Sequence, residues 1–314
     1  MKKNILNISR LHQQELWSII KMLPDDPMNQ YIITGYKIIN PDDPSSGQPP
    51  MPQPKDVTVA QYNAEVAAYN QKHMNDPMVP PIQILETYTT ENVLSPDIVN
   101  NINIIDATNV PQDLSTSDKY DLVVIGVGDT GVDIFKKIHI IDPMTGEITS
   151  EYSQLQVLSD ARDAGMPIVF THDALEVNSF CEPFPDDYDK LVGNFGVDSH
   201  SYDYGEEGNQ INNIRCIDPT HNAVTAYYEL EPELEVQPSH AGGLKLLPDA
   251  KILFEESSKA SSNANYYLAV YEKSGKGKVV FCQLGHCYGN HNQFFRPSIN
   301  ECKILVNAII WALQ

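Results

Sequence analysis

Ala164-Gly-Met-Pro-Ile-Val-Phe-Thr-His-Asp173 is the stretch on which the fold turns. Gln154 to Ala164 reads as a helix; Gly165 and Pro167 end it, and the apolar run Ile168-Val-Phe170 follows at once as a strand. A helix that delivers the chain straight into a buried strand is the repeating step of a parallel sheet. The same signal recurs upstream, where Ile82-Gln-Ile-Leu-Glu86, Ile102-Asn-Ile-Ile105 and Asp121-Leu-Val-Val-Ile-Gly126 are strand candidates. Downstream, Tyr266 to Glu272 and Lys278 to Gln283 flank Ser-Gly-Lys-Gly, a hairpin signal. Ser298-x-x-Glu301 then caps a terminal helix carrying Ile304, Leu305, Ala308, Ile309 and Trp311. The expected fold is α/β: a doubly wound, mostly parallel sheet.

The first quarter of the chain reads differently. Eleven of the chain's 22 prolines fall in the first 81 residues, mostly in Pro41 to Pro54 and Pro77 to Pro81, blocks that sustain neither helix nor central strand. Residues 8–22 read as a helix around Leu11, Leu16, Ile19 and Ile20, and Tyr31 to Ile39 as a strand. Thr58-x-x-Gln61 is a capping box, with Val59, Tyr62, Val66 and Tyr69 at helical spacing behind it. The expected division is a helical and Pro-rich N-terminal extension over residues 1–81 and the α/β domain over 82–314. Within the latter, about 174–249 reads as an elaborated acidic insertion with few periodic elements.

The charge excludes classes of partner. The 314 residues carry 21 basic and 42 acidic side chains, a net charge of −21. Nucleic acids and anionic membranes require a cationic face, and no cluster of basic residues supplies one. Glu182 to Glu207 holds eight acids against Lys190. A solvated acidic face is the simpler reading of that segment; a cation or a basic protein partner is the alternative. No run of about 20 apolar residues suggests a membrane span, and Met1 to Arg10 lacks the apolar core of a signal peptide. Five cysteines without a C-x-x-C pair suit reduced thiols. A cytoplasmic location is expected by default, or a surface assembly if the chain belongs to a larger exported protein.

Two sets of residues carry candidate chemistry. Gly126-Val-Gly128-Asp-Thr-Gly131 has the G-x-G-x-x-G form of a dinucleotide site. Against it, the motif follows a late strand, Asp129 would sit in the phosphate cradle, and His139-Ile-Ile-Asp-Pro143 cuts short the helix that should follow. A plain glycine turn is the favoured reading. The second set is His172-Asp173, just past one buried strand, and His286, just past another at Gly277-Lys-Val-Val-Phe-Cys-Gln-Leu-Gly285. Ligands of open parallel sheets bind outside the carboxyl ends of the strands. His172, Asp173 and His286 therefore form a candidate acid–base set, and with His291, or alternatively Cys287, a candidate site for zinc or another divalent metal. Structural histidines, each satisfied by hydrogen bonds, are the competing reading. Cofactors are otherwise not implied.

The succession of Tyr120-Asp-Leu-Val-Val-Ile-Gly, Ala-Gly-Met-Pro-Ile-Val-Phe and Gly-Lys-Gly-Lys-Val-Val-Phe-x-x-Leu-Gly-His resembles the class I glutamine amidotransferase-like superfamily. The closing motif and the helix ending in Ile-Trp-Ala-Leu are most similar to its trehalose-utilisation (ThuA-like) branch. The resemblance covers about residues 82–314 and implies a flavodoxin-like sheet. It also implies a nucleophilic cysteine where this chain has His172, and a later catalytic histidine at His286. Glutamine hydrolysis needs a thiolate, so a degenerate domain serving as a binding or structural module is expected. Its ligand would be a protein partner or a saccharide. The alternative is a hydrolase or sugar-modifying enzyme using His172, Asp173 and His286.

Overall fold

The computed structural model describes residues 2–8, 64, 67–72, 74–75, 102–107, 109–126, 134–171, 174–175, 188–200, 210–240, 244–258, 265–283 and 299–314. They form a mixed sheet with helices, of α/β character. The strands in chain order are β1 (Lys3–Ile8), β2 (Ile102–Ala107), β3 (Leu122–Ile125), β4 (Lys137–Ile141), β5 (Ile148–Ser153), β6 (Ile168–Thr171) and β7 (Val197–His200). They continue with β8 (Gln210–Cys216), β9 (Glu233–His240), β10 (Leu244–Leu246), β11 (Lys251–Glu256), β12 (Leu268–Tyr271) and β13 (Val279–Cys282). The helices are α1 (Gln154–Asp163), α2 (Tyr188–Asn194), α3 (Asn222–Thr225) and α4 (Ile299–Ala312).

One nine-stranded sheet organises the molecule, in the order β2-β1-β3-β6-β13-β12-β11-β8-β9. The first five strands are parallel neighbours throughout. From β13 to β9 every pair is antiparallel. The expectation of a mostly parallel sheet thus holds for one half alone. The other half is antiparallel because it contains hairpin links such as Ser274-Gly-Lys-Gly277 between β12 and β13, which cannot join parallel neighbours.

Inner strands of such a sheet bury both faces, and β3, β6, β12 and β13 are buried at every position. One face carries Ile5, Val124, Val169 and Val280 against Leu305, Ile309 and Trp311 of α4. The other carries Leu6, Val123, Phe170 and Phe281 with Leu155 and Leu158 of α1 and Leu191 of α2. The helix–strand stretch follows its expected course. The Ser153 hydroxyl caps α1, and at its end Gly165, in left-handed conformation, donates to the Arg162 carbonyl at 3.0 Å while Met166 donates to that of Ala161 at 2.9 Å. That paired closure is what a glycine one residue beyond the helix permits.

Two assignments are corrected. Lys3–Ile8, expected in an N-terminal extension, is an inner strand, paired with β2 on one side and β3 on the other. Asp121, in the Tyr-Asp-Leu motif, fastens it: Lys3 Nζ donates to its Oδ1 and the Asn4 amide to its Oδ2, both at 2.8 Å. Partial burial opposes ionisation of that carboxyl, but these donors hold it below its ordinary range. The second correction concerns 174–249, which contributes β8 and β9 to the sheet and packs Tyr188, Leu191, Phe195 and Val197 into the core. Its described acids between 182 and 207, Asp189 and Asp198, are nevertheless exposed. Residues 67–72 are helical as expected, whereas the helix expected over 8–22 and the strands over 31–39 and 82–86 lie outside the described residues apart from Ile8. No helix among the described residues is long and apolar enough to cross a membrane.

Candidate functional site

The register of β6 on β13 bears directly on the expected site. Thr171, the last residue of β6, pairs with Cys282, the last of β13. His172 and Asp173 directly follow the first strand, and Leu-Gly-His286 follows Gln283 after the second. Two neighbouring strands therefore end level, each leading into one of the singled-out segments. His172, Asp173, His286, Cys287 and His291 themselves lie outside the described residues, as do Gly128 and Gly131. Gly126 is described: it turns off the end of β3 at φ 67° and donates its amide to the Ile8 carbonyl at 2.8 Å.

What the sequence reading missed is the polarity of this sheet end. Asn7 on β1, Thr171 on β6, Gln283 just past β13, Asn265 before β12, Glu255 and Glu256 closing β11 and Glu301 at the start of α4 are all buried. They are seven of the eleven buried polar residues among those described. The register brings the strand residues to a common level, since Asn7 pairs with Val124 and Thr171 with Cys282, while the Gln283 amide donates to the Tyr267 carbonyl at 2.8 Å. By strand alternation Asn7 and Thr171 share the face that carries Ile5 and Val169.

Thr171, Glu301, Glu255 and Glu256 are each held by a partner in the fold. Thr171 Oγ1 donates to the Ile125 carbonyl at 3.2 Å, tying β6 to β3. Tyr267 donates its hydroxyl to Glu301 Oε1 at 2.8 Å, tying β12 to the first turn of α4. Burial, and then the neighbouring Glu301, push the Tyr267 phenol well above its ordinary range. Glu255 accepts from Nε and Nη2 of Arg215, at 2.8 and 2.6 Å. Ser258 Oγ donates to Glu256 Oε1 at 2.6 Å. Three carboxyl groups with Arg215 beside one of them, three amides and hydroxyls make this end rich in acceptors. Such a set suits hydroxyl donors or a cation rather than a phosphate. The sequence signal was present: Glu255-Glu256 directly after Ile-Leu-Phe, Asn7 inside an apolar run and Gln283 after one are polar residues where a strand is still buried.

The opposite end of the sheet is structural. Arg162, buried on α1, donates from Nε to the Gly277 carbonyl at 3.1 Å and from Nη1 to the Asn194 carbonyl, and its guanidinium lies 5.1 Å from the Tyr271 ring centre. Lys276 adds an ion pair to Asp163 at 2.7 Å. These contacts lock α1, α2 and the β12–β13 turn together. Among the described residues no group of three or more His, Cys, Asp or Glu side chains is arranged to hold a metal ion.

No family model and no curated protein matches this chain. Among solved structures, a ThuA-like protein from Bacteroides uniformis shares 10% identity over 99% of this chain and 91% of its own, with a TM-score of 0.41. A second, from Parabacteroides merdae, shares 11% identity over 100% of this chain and 90% of its own, with a TM-score of 0.43. A cytoplasmic protein from Salmonella typhimurium shares 12% over 68% of this chain and 82% of its own, with a TM-score of 0.43. The chain has ThuA-like proteins among its distant structural neighbours.

Proposed function

We propose that this chain is a degenerate amidotransferase-like α/β domain that binds a hydroxyl-rich ligand of saccharide type and does not hydrolyse glutamine. The observation that carries the reading is the gathering of Asn7, Thr171, Gln283, Asn265, Glu255, Glu256 and Glu301 at one sheet end. Sugar hydroxyls pair with amides and carboxylates, and a surplus of carboxyl groups disfavours anionic ligands. The parallel order β2-β1-β3-β6-β13 supports the doubly wound, flavodoxin-like interpretation. In such sheets the ligand crevice opens outside the carboxyl ends where strand order reverses, here between β1 and β3, beside Asn7 and Gly126. Histidine at position 172 supports the absence of glutaminase chemistry, because imidazole cannot form the thioester that a thiolate forms.

The test is calorimetric titration of the full chain with a panel of mono- and disaccharides, alongside an assay for ammonia release from glutamine. Binding of at least one saccharide is expected, weakened about tenfold or more in His172→Ala and His286→Ala, with no ammonia released. Ammonia release that His172→Ala abolishes would overturn it, as would a panel without a binder. The pairing of Thr171 with Cys282 favours a second reading, a metal-dependent hydrolase acting through His172, Asp173 and His286. It requires close to one equivalent of bound zinc or a similar ion that His286→Ala removes, together with turnover of a bound saccharide.

A further inference from the structure

β4 and β5 stand apart from the main sheet. They pair with each other as a separate two-stranded ribbon and with no third strand among the described residues. Ile140 is 39% exposed, Ile141 57%, Ile148 59% and Met144 91%. The ribbon is nevertheless well built. Asp142 Oδ1 accepts from the Met144 amide at 2.7 Å, and the Asp142 amide donates to the Glu147 carbonyl at 2.8 Å, closing the turn. At the base, Tyr152 donates its hydroxyl to the Val110 carbonyl at 2.8 Å. A two-stranded ribbon is marginal in water, and edges that meet no strand among the described residues are templates for another strand.

Charge narrows the occupant. Residues 136–153 carry two lysines against three acids, close to neutral, in a chain whose net charge is −21. Two copies of so acidic a chain repel over most approaches, and this near-neutral ribbon adds little to that repulsion. Nucleic acid and anionic lipid are repelled by the same surplus. The sequence of β4 is also self-complementary. Paired antiparallel with its own copy and centred on His139, it sets Ile138 opposite Ile140 and Lys137 opposite Ile141, so no like charges of lysine or carboxylate face each other. Ile138 and Ile140 of both copies then form one apolar row.

We propose that β4 pairs with β4 of a second copy about a two-fold axis, joining two ribbons into a four-stranded sheet and making the protein a homodimer. Sedimentation velocity of the full chain over a roughly hundredfold range of concentration tests it. A dimer is expected, with a dissociation constant raised about tenfold or more in Ile140→Lys at unchanged circular dichroism and melting temperature. The register is tested by His139→Cys, whose opposed Cα atoms would be about 4.5–5.5 Å apart and so form an intermolecular disulfide on mild oxidation. Thr145→Cys at the turn should not cross-link. A monomer throughout the range overturns the proposal, whether or not it co-sediments with phosphatidylcholine vesicles. So does a dimer indifferent to Ile140→Lys, or one that His139→Cys leaves uncross-linked.

Discussion

Gly277 shows how much a single position can carry. Its amide donates to the Arg162 carbonyl at 2.8 Å, and its own carbonyl accepts from Arg162 Nε at 3.1 Å. A Cβ there would lie 1.8 Å from the Met166 carbonyl oxygen and 2.4 Å from its carbon. Backbone atoms held by the closure of α1 cannot retreat as the end of a flexible side chain can. Gly277→Ala is therefore expected to cost about 3 kcal/mol or more, at the top of the range for overpacking. Urea unfolding with an unchanged m-value would measure it, and a loss below about 1 kcal/mol would refute the steric account. The Gly-Lys-Gly-Lys motif was visible in the sequence as a turn. Its contact with the Ala-Gly-Met-Pro segment, 112 positions away at Gly165, was not, because close approach is a property of two segments together.

At the scale of elements, β1 is the instructive case. Lys-Asn-Ile-Leu-Asn-Ile is short, and Asn4 and Asn7 interrupt its apolar run, so it lacks the signature of a buried strand. Its partners β2 and β3 begin about a hundred positions later, beyond the reach of local pattern. Yet Ile5, Leu6 and Ile8 are buried between them, and at about 1.5–3 kcal/mol each their burial contributes roughly 5–9 kcal/mol. That is comparable with the whole net stability of a domain, about 5–15 kcal/mol. A chain lacking residues 1–8 should therefore lose its cooperative thermal transition and near-ultraviolet circular dichroism. If it melts as sharply and as high as the full chain, β1 is not the structural strand described here. By contrast α1, β6, the β12–β13 hairpin and α4 were legible, since each announces itself by caps, turn residues and periodicity within about 15 residues.

The molecule as a whole places its titratable groups unevenly, which gives stability a direction with pH. Tyr267 is raised by burial and then by Glu301, and burial pushes Tyr228 up to about 12. A group whose pKa rises on folding supports the folded state fully below its unfolded value, near 10 for tyrosine, and withdraws that support as pH climbs toward the folded value. Denaturant midpoints should thus fall from about pH 9 upward, as unfolded tyrosine ionises, and keep falling toward about pH 12. Lysines also lose protons there, so the decisive comparison is Tyr267→Phe, in which the fall should be shallower. An equally steep fall in that variant would exclude the buried phenol as a cause.

The candidate site was half legible in the sequence. His172-Asp173 and His286 could be placed after strands from local pattern, and their strands do end level with one another. Asn7, Asn265, Glu255, Glu256 and Glu301 could not be assembled, because they come from segments between 7 and 301 in the chain and meet through the order of the sheet. By itself the sequence determined the α/β character, the acidic surface and the local helix–strand steps, all of which follow from composition and short-range periodicity. Tertiary structure alone decided that β1 lies inside the sheet, that half the strands run antiparallel, and that buried polar groups collect at one end. Strand neighbours are chosen by shared burial and hydrogen-bond pairing between distant segments, and no local pattern encodes that choice.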